Sequence, residues 1–199
     1  MRTCRAFTLI ELLAVLVILG VLAAVIVPSV ASVRAGVDRA RTKVMFNQWA
    51  LACAQFRQEY GFLPLLGVDH RLVTMDDSTA FVRVLSGRNP DGTVVSDPAM
   101  LGGNTRRLAF YTPGATELRN GVLADAFGNT EMGVMVDRDG DGWVRPGIDG
   151  VVPGVRAADG SGPFTPDANQ LPATGVRAEV IFFSAGRGRS AADLVLSWQ

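Results

Sequence analysis

Lysine is all but absent from this chain: Lys43 is the only one, and every other basic side chain is arginine. We read that as genome composition rather than function. Histidine occurs once (His70) and cysteine twice (Cys4 and Cys53). So few soft ligands exclude a His/Cys zinc site, and two cysteines flanking one long apolar run cannot build a disulfide framework. Neither charge sign dominates, with 19 basic and 19 acidic residues. Nothing therefore drives a general affinity for nucleic acid, and no nucleic-acid partner is expected. Catalytic signatures are missing as well. His70 follows Asp69 in a polar loop with no cysteine nearby, and "SAGRGRS" (184–190) lacks both the spacing and the lysine of a phosphate-binding loop. The carboxylates form no placed acid–base pair. The expectation is a protein that is not an enzyme, and no repeat or low-complexity tract appears.

What the chain has in excess is apolar side chains in one place. From Leu12 to Val27 every residue is apolar, and extending back to Phe7 adds only Thr8 and one ionisable group, Glu11. A run of about 20 residues is near the length that spans a bilayer. A signal peptide is one reading, with Ser29-Val30-Ala31 as its cleavage site. A plain anchor is another, with Arg2 and Arg5 holding the amino terminus in the cytoplasm. Neither explains Glu11. A carboxylate at the centre of a membrane helix costs about 2.5–3.5 kcal/mol, eased here by the partial positive charge of the helix start.

The stretch Phe7-Thr8-Leu9-Ile10-Glu11-Leu12, behind a six-residue leader carrying Arg2 and Arg5, resembles the signature of type IV prepilins and type II secretion pseudopilins. The resemblance implies a cut between Ala6 and Phe7 by a prepilin peptidase and N-methylation of the new terminal amine. It also implies that Glu11 of an incoming subunit neutralises the amine of its neighbour in a growing filament, a pairing that is strong at low dielectric. Gly20 and Pro28 fall where pilins carry a glycine and a helix-loosening proline. Ala6 departs from the usual glycine before the cut, but alanine is the next smallest residue and processing is still expected. The implied organisation is a leader (1–6), a transmembrane and assembly helix (7–33) and a periplasmic pilin-like domain (34–199), in a single-pass inner-membrane protein. Its implied partners are identical or related pilin subunits, the pilus or secretion assembly machinery and the membrane. A membrane-tethered periplasmic binding or sensor domain is the alternative. Three further segments resemble the major pseudopilin of type II secretion: "YGFLP" (60–64), "LADAFGN" (123–129), and a tail in which Ser184, Gly186, Asp193 and Trp198 match. The tail aspartate that helps bind a structural calcium in that family is replaced here by the Arg187–Arg189 stretch.

Beyond Pro28 the pattern becomes amphipathic. Val30, Val33, Val37, Ala40 and Val44 recur at spacings of three and four, and Met45, Trp49, Ala52, Phe56 and Tyr60 continue on a neighbouring line. Both lines are expected to face a core, with Gly61 ending the helix and Pro64 preventing its resumption. Cys53 reads as a small buried apolar residue. Residues 76–87 read as a short helix, and Arg107–Thr112, Met132–Asp137, Ala178–Ser184 and Leu194–Trp198 as strands between glycine-rich loops. Helix first and strands after indicates α+β: a long amino-terminal helix packed on a small antiparallel sheet of three or four strands.

One segment has the look of a metal site. In "DRDGDGW" (137–143), Asp137, Asp139 and Asp141 occupy positions 1, 3 and 5 of a calcium-loop pattern, with Gly142 at position 6 and Trp143 able to offer its carbonyl. Position 12, normally a bidentate acid, is Ile148, and Asp149 lies one residue later. Two readings stay open: a structural Ca²⁺ site, or an Asp/Gly hairpin turn after the strand.

Overall fold

A computed structural model describes residues 9–66 and 71–199, without the side chains of residues 25–30. Its elements are α1 (Leu9–Tyr60), β1 (Arg71–Leu72), α2 (Met75–Ser86), β2 (Leu118–Arg119), β3 (Val122–Leu123), β4 (Met132–Val136), β5 (Trp143–Val144), β6 (Val176–Arg177), β7 (Val180–Ser184) and β8 (Val195–Leu196). The chain divides into two compact units, Met1–Val37 and Asp38–Gln199, with the boundary inside α1.

In the first unit every described side chain from Leu9 to Ala24 is exposed. Burying a large apolar side chain is worth about 1.5–3 kcal/mol, so this segment gains by leaving water. The expected membrane span over 7–33 is nevertheless not supported by the structure. Among the described residues, no helix is long and apolar enough to cross a membrane.

In the second unit α1 is the spine. Met45, Phe46, Trp49, Ala52, Cys53 and Phe56 are buried along it. Trp49 is the hub, with its ring centroid 4.7 Å from Phe81 of α2, 5.4 Å from Phe182 of β7 and 5.5 Å from Phe46. Burial pushes the Cys53 thiol far up, and the Glu179 carboxylate adds to it, so the residue is inert packing as its sequence context suggests. The other expected core line is corrected: Val33, Val37 and Val44 are 66%, 44% and 56% exposed. At about 100° per residue, Val44 falls on the far side of the helix from Trp49 and Cys53.

α2 forms because Thr74 and Asp77 cap each other reciprocally at its start, and Gly87 ends it in the left-handed conformation at φ 69°. The sheet runs β1-β4-β7-β8, all antiparallel, with Met132 opposite Ser184 and Val136 opposite Val180. Its faces alternate as the period of two requires. Met132, Val134, Val180 and Phe182 join the α1 core, while Met135, Ile181 and Phe183 enter two smaller clusters under the loops of the opposite face. Gly133 is glycine because the Phe183 ring lies over it, 2.2 Å from where a Cβ would stand.

One strand expectation shifts. The fourth strand is Arg71–Leu72, not Arg107–Thr112. In the latter segment the Asn104 side chain takes the backbone groups of Leu108, accepting from its N–H and donating to its carbonyl at 2.8 Å each. Phe110 and Tyr111 N–H both donate to the Leu85 carbonyl, so no ladder remains to be made.

The loop between β3 and β4 is held by a buried carboxylate. Asp125 Oδ1 accepts from Phe127 N–H at 2.9 Å and Asn129 N–H at 2.8 Å, while Oδ2 accepts from Asn129 Nδ2 at 2.8 Å and Ser184 Oγ at 2.7 Å. Asn129 in turn donates to the Gly186 carbonyl and accepts from Ala158 N–H. Ala126 N–H donates to Thr42 Oγ1 of α1. At the chain's other end, Arg39 donates to the Leu194 carbonyl, and Lys43 to the Gln199 carbonyl.

Desolvation by burial raises the Asp125 carboxyl above its ordinary range, more than the bonds from Ser184, Asn129 and Phe127 lower it. A raised native pKa means that the folded state binds the proton more tightly than the unfolded chain. This contribution to stability is therefore full below the unfolded value of about 3.9 and is lost as pH rises through the raised native value. Asp125→Asn should lower stability by about 1–3 kcal/mol, because an amide NH₂ cannot accept from the donors that Oδ1 or Oδ2 serves. It should also flatten this part of the pH slope. Denaturant melts of both proteins from pH 4 to pH 7 check it; an unchanged slope would show that Asp125 does not titrate there.

Candidate functional site

The acidic loop between β4 and β5 is built from turns that its own carboxylates close. Asp137, 4% exposed, accepts from Gly140 N–H through Oδ1 and from Gly142 N–H through Oδ2, both at 2.8 Å. The chain can fold back this tightly because Gly140 and Gly142 sit at φ 77° and 87°, where a side chain would be strained. Asp149, fully buried, accepts from Arg138 N–H at 2.8 Å and from Arg145 N–H at 2.6 Å. It fastens the far side of the loop to the near side. β5 then pairs with β6, Trp143 opposite Arg177.

The residues singled out by sequence part company here. One carboxylate oxygen each from Asp137, Asp139 and Asp149 lie within 4.8 Å of one another. Asp141 is outside that group: it pairs with Arg145 and accepts from Trp143 N–H at 2.9 Å. Trp143 is 37% exposed, with the Arg145 guanidinium 6.0 Å from its ring centre. Ile148, at the twelfth position, is 61% exposed, and its neighbour Asp149 closes the cluster instead. The signal for this was an acid followed by glycine one residue past the expected place.

Electrostatics follow the geometry. For Asp139, the Asp141 N–H acts to lower the pKa. Desolvation, the facing Asp137 carboxylate and the charges of Asp141 and Asp149 together outweigh it and raise the group above its usual range. For Asp141, desolvation works upward, but the Arg145 side chain and the Trp143 N–H hold the carboxyl below its usual range. Each carboxylate oxygen that already accepts one N–H keeps a second lone pair. Asp137, Asp139 and Asp149 can therefore hold a hard cation without releasing the turn.

At the amino terminus, Ala6 and Phe7 lie outside the described residues, as do Arg2, Arg5 and, further on, His70. Glu11 stands in the first turn of α1 and is exposed. Residues 1–27 match the family model described as the prokaryotic N-terminal methylation motif. That motif is the hallmark of type IV prepilins and pseudopilins. This is a structural, pilin-type motif rather than an enzyme family, and it implies processing by prepilin peptidase and pilin-type assembly. No curated protein and no solved structure matches the chain.

In this pilin-like chain the other resemblances turn out to be packing devices. In "YGFLP", Gly61 adopts φ 80° and donates to the Arg57 carbonyl at 2.8 Å, closing α1, while the Tyr60 hydroxyl donates to Asn104 Oδ1. In "LADAFGN", Asp125 and Asn129 form the buried network already described. In the tail, Ser184 donates to Asp125, the Gly186 carbonyl accepts from Asn129, Asp193 accepts from Arg189 N–H at 3.2 Å, and Trp198 Nε1 donates to the Gln170 carbonyl at 2.7 Å. Asn104, Thr42 and Arg145 are the participants that sequence reading missed. Each acts by contacts made at long sequence separation or across a turn, which no local motif announces.

Proposed function

We propose that this chain is a structural subunit that polymerises into a pseudopilus or type IV pilus-like filament, serving type II protein secretion. One observation carries the reading: the methylation motif at residues 1–27 takes in the start of a helix whose described residues 9–24 are exposed and, apart from Glu11, uncharged. Prepilin peptidase cuts between Ala6 and Phe7 while the apolar segment holds the precursor in the inner membrane. The freed amine then meets the Glu11 carboxylate of an adjacent subunit away from water, where opposite charges attract most strongly. Burial of the apolar helix among its copies supplies the non-directional part of the association, and the Asp38–Gln199 unit decorates the filament. Resemblance of "YGFLP", "LADAFGN" and the tail to the major pseudopilin supports a secretion pseudopilus over other filaments.

We also propose that the loop, through Asp137, Asp139 and Asp149, binds a structural Ca²⁺. Supporting this is the convergence of three carboxylate oxygens within 4.8 Å on a hairpin rigidified by its own hydrogen bonds. Oxygen donors of this kind suit calcium's large, tolerant coordination sphere. Trp143 would add its carbonyl. The absence of a bidentate acid at the twelfth position places the affinity near the extracellular range of about 10⁻⁴–10⁻³ M.

Mass spectrometry of the mature protein should find Phe7, N-methylated, as the first residue. A terminus at Ser32, following the signal-peptide-like site, would sink the pilin reading.

Glu11→Leu should remain in the membrane fraction, since the change removes a costly carboxylate from an apolar segment. It should nevertheless yield few or no filaments by electron microscopy. Normal filament yield would show that Glu11 supplies no counter-charge to a neighbour.

For calcium, the measurement is thermal unfolding of the chain lacking residues 1–33. Millimolar Ca²⁺ should raise its melting temperature by about 2–4 °C, as roughly 1 kcal/mol of ligand linkage would. The shift should vanish with chelator and in Asp139→Ala, whose side chain is exposed. Identical melting with and without calcium would leave the hairpin turn as the loop's whole role.

A further inference from the structure

The turn after β7, Ala185-Gly186-Arg187-Gly188-Arg189-Ser190, is built so that its two arginines must face outward. Gly186 and Gly188 are buried in the left-handed conformation, at φ 58° and 70°. A Cβ at Gly186 would stand 2.1 Å from the Asp193 carbonyl oxygen, and one at Gly188 would stand 2.3 Å from Ala157 Cβ. Side chains are therefore excluded from both inner positions. Hydrogen bonds fix the turn along its length. Asn129 Nδ2 donates to the Gly186 carbonyl at 2.8 Å, Gly188 N–H to the Ala185 carbonyl at 3.0 Å, and Arg189 N–H to Asp193 Oδ2 at 3.2 Å. Arg187, Arg189 and Ser190 are left exposed.

Arg57, Arg71, Arg106 and Arg145 each pair with a carboxylate. Among the described residues, the Arg187 and Arg189 guanidiniums have neither a hydrogen bond nor an ion pair. The acids beside the turn serve its backbone instead: Asp159 accepts from Ser161 N–H at 2.9 Å, and Asp193 from Arg189 N–H. Two positive charges thus sit two residues apart on a fixed turn, with nothing inside the fold to neutralise them. Together they offer two planar forks of N–H donors to solvent.

We propose that the Arg187–Arg189 turn binds a phosphate monoester. One fork already engages both oxygens of a planar carboxylate, so a carboxylate leaves the second arginine idle, whereas a tetrahedral phosphate turns oxygens toward both. Charge selects in the same direction. A monoester carries about −1.5 to −2 at neutral pH, matching two guanidiniums, while each diester of a nucleic-acid backbone carries a single charge. From Ala185 to Ser190 the turn also has no aromatic side chain on which a base could stack. The same phosphate chemistry is met free in solution or as a lipid headgroup, phosphatidic acid being the simplest. The site depends neither on the filament nor on calcium.

The test uses the full-length chain in neutral detergent micelles, ¹⁵N-labelled on arginine, with the Nε–H signals of Arg187 and Arg189 followed by NMR at constant ionic strength. Inorganic phosphate, or micelles doped with phosphatidic acid, should shift both signals saturably. A response to phosphate alone assigns the site to free esters, one to phosphatidic acid alone assigns it to a membrane surface, and either supports the proposal. Arg177, exposed on β6, is the internal control and should stay put. Micelles doped with phosphatidylglycerol, a diester, should need about fivefold more lipid for the same shift, as the loss of one charge contact implies. Silence towards both monoester probes overturns the proposal. So does an equal response to acetate, to phosphatidylglycerol or to a DNA duplex, and so does an equal shift at Arg177. Arg187→Gln, an exposed change that should leave the melting temperature unmoved, should weaken the response read at Arg189 about fivefold. Arg189→Gln, read at Arg187, is the reciprocal check. Undiminished affinity in either variant would show two separate arginines rather than one site.

Discussion

Inside the second unit, one carboxylate with almost no access to water accepts four hydrogen bonds, and the joints of the fold meet around it. Asp125 ties its own loop to the end of β7 through Ser184, and Asn129, which it holds in place, ties that loop to Gly186 and Ala158. The same loop donates to Thr42 of α1. Helix, sheet and the carboxy-terminal loops are thereby referenced to a single polar centre. Apolar packing around Trp49 contributes far more area, but it is non-directional and would tolerate sliding. A buried carboxylate left short of donors costs too much for the loop to sit anywhere else.

A similar logic runs through the acidic loop, with a different result. Asp137 and Asp149 spend their first lone pairs on backbone N–H groups and so shape a hairpin. Asp139 is then carried up to them, which sets like charges close together. In such a place a cation and a turn are not rivals. The hydrogen bonds that make the turn are also what hold the oxygens where a cation would use them, and Arg145 partly offsets the charge from outside by pairing with Asp139 and Asp141.

α1 reconciles two demands on one helix. Its apolar start is exposed from Leu9 to Ala24, while the part beyond Asp38 must nucleate a packed domain. The second part divides its circumference, with aromatic residues inward and a neutral line of small and aliphatic side chains outward.

By itself the sequence determined the amino-terminal motif, the helix that follows it, α2 with its capping residues, the strands β4 and β7, and the α+β class. These rest on contacts between residues near in the chain: a leader beside Phe-Thr-Leu-Ile-Glu, Thr74 three residues before Asp77, apolar alternation along Val180–Ser184. Tertiary structure alone decided which of two apolar lines on α1 became core, because both have helical spacing and only the placement of α2 and the sheet breaks the tie. It decided that Asn104 would take the backbone groups of Leu108 and deny Arg107–Thr112 a strand, leaving the edge to Arg71–Leu72. It also decided that Asp149 rather than Asp141 would complete the carboxylate cluster. A one-residue difference in where a loop closes is invisible to spacing rules, yet it is settled by which N–H groups the folded backbone turns toward each oxygen.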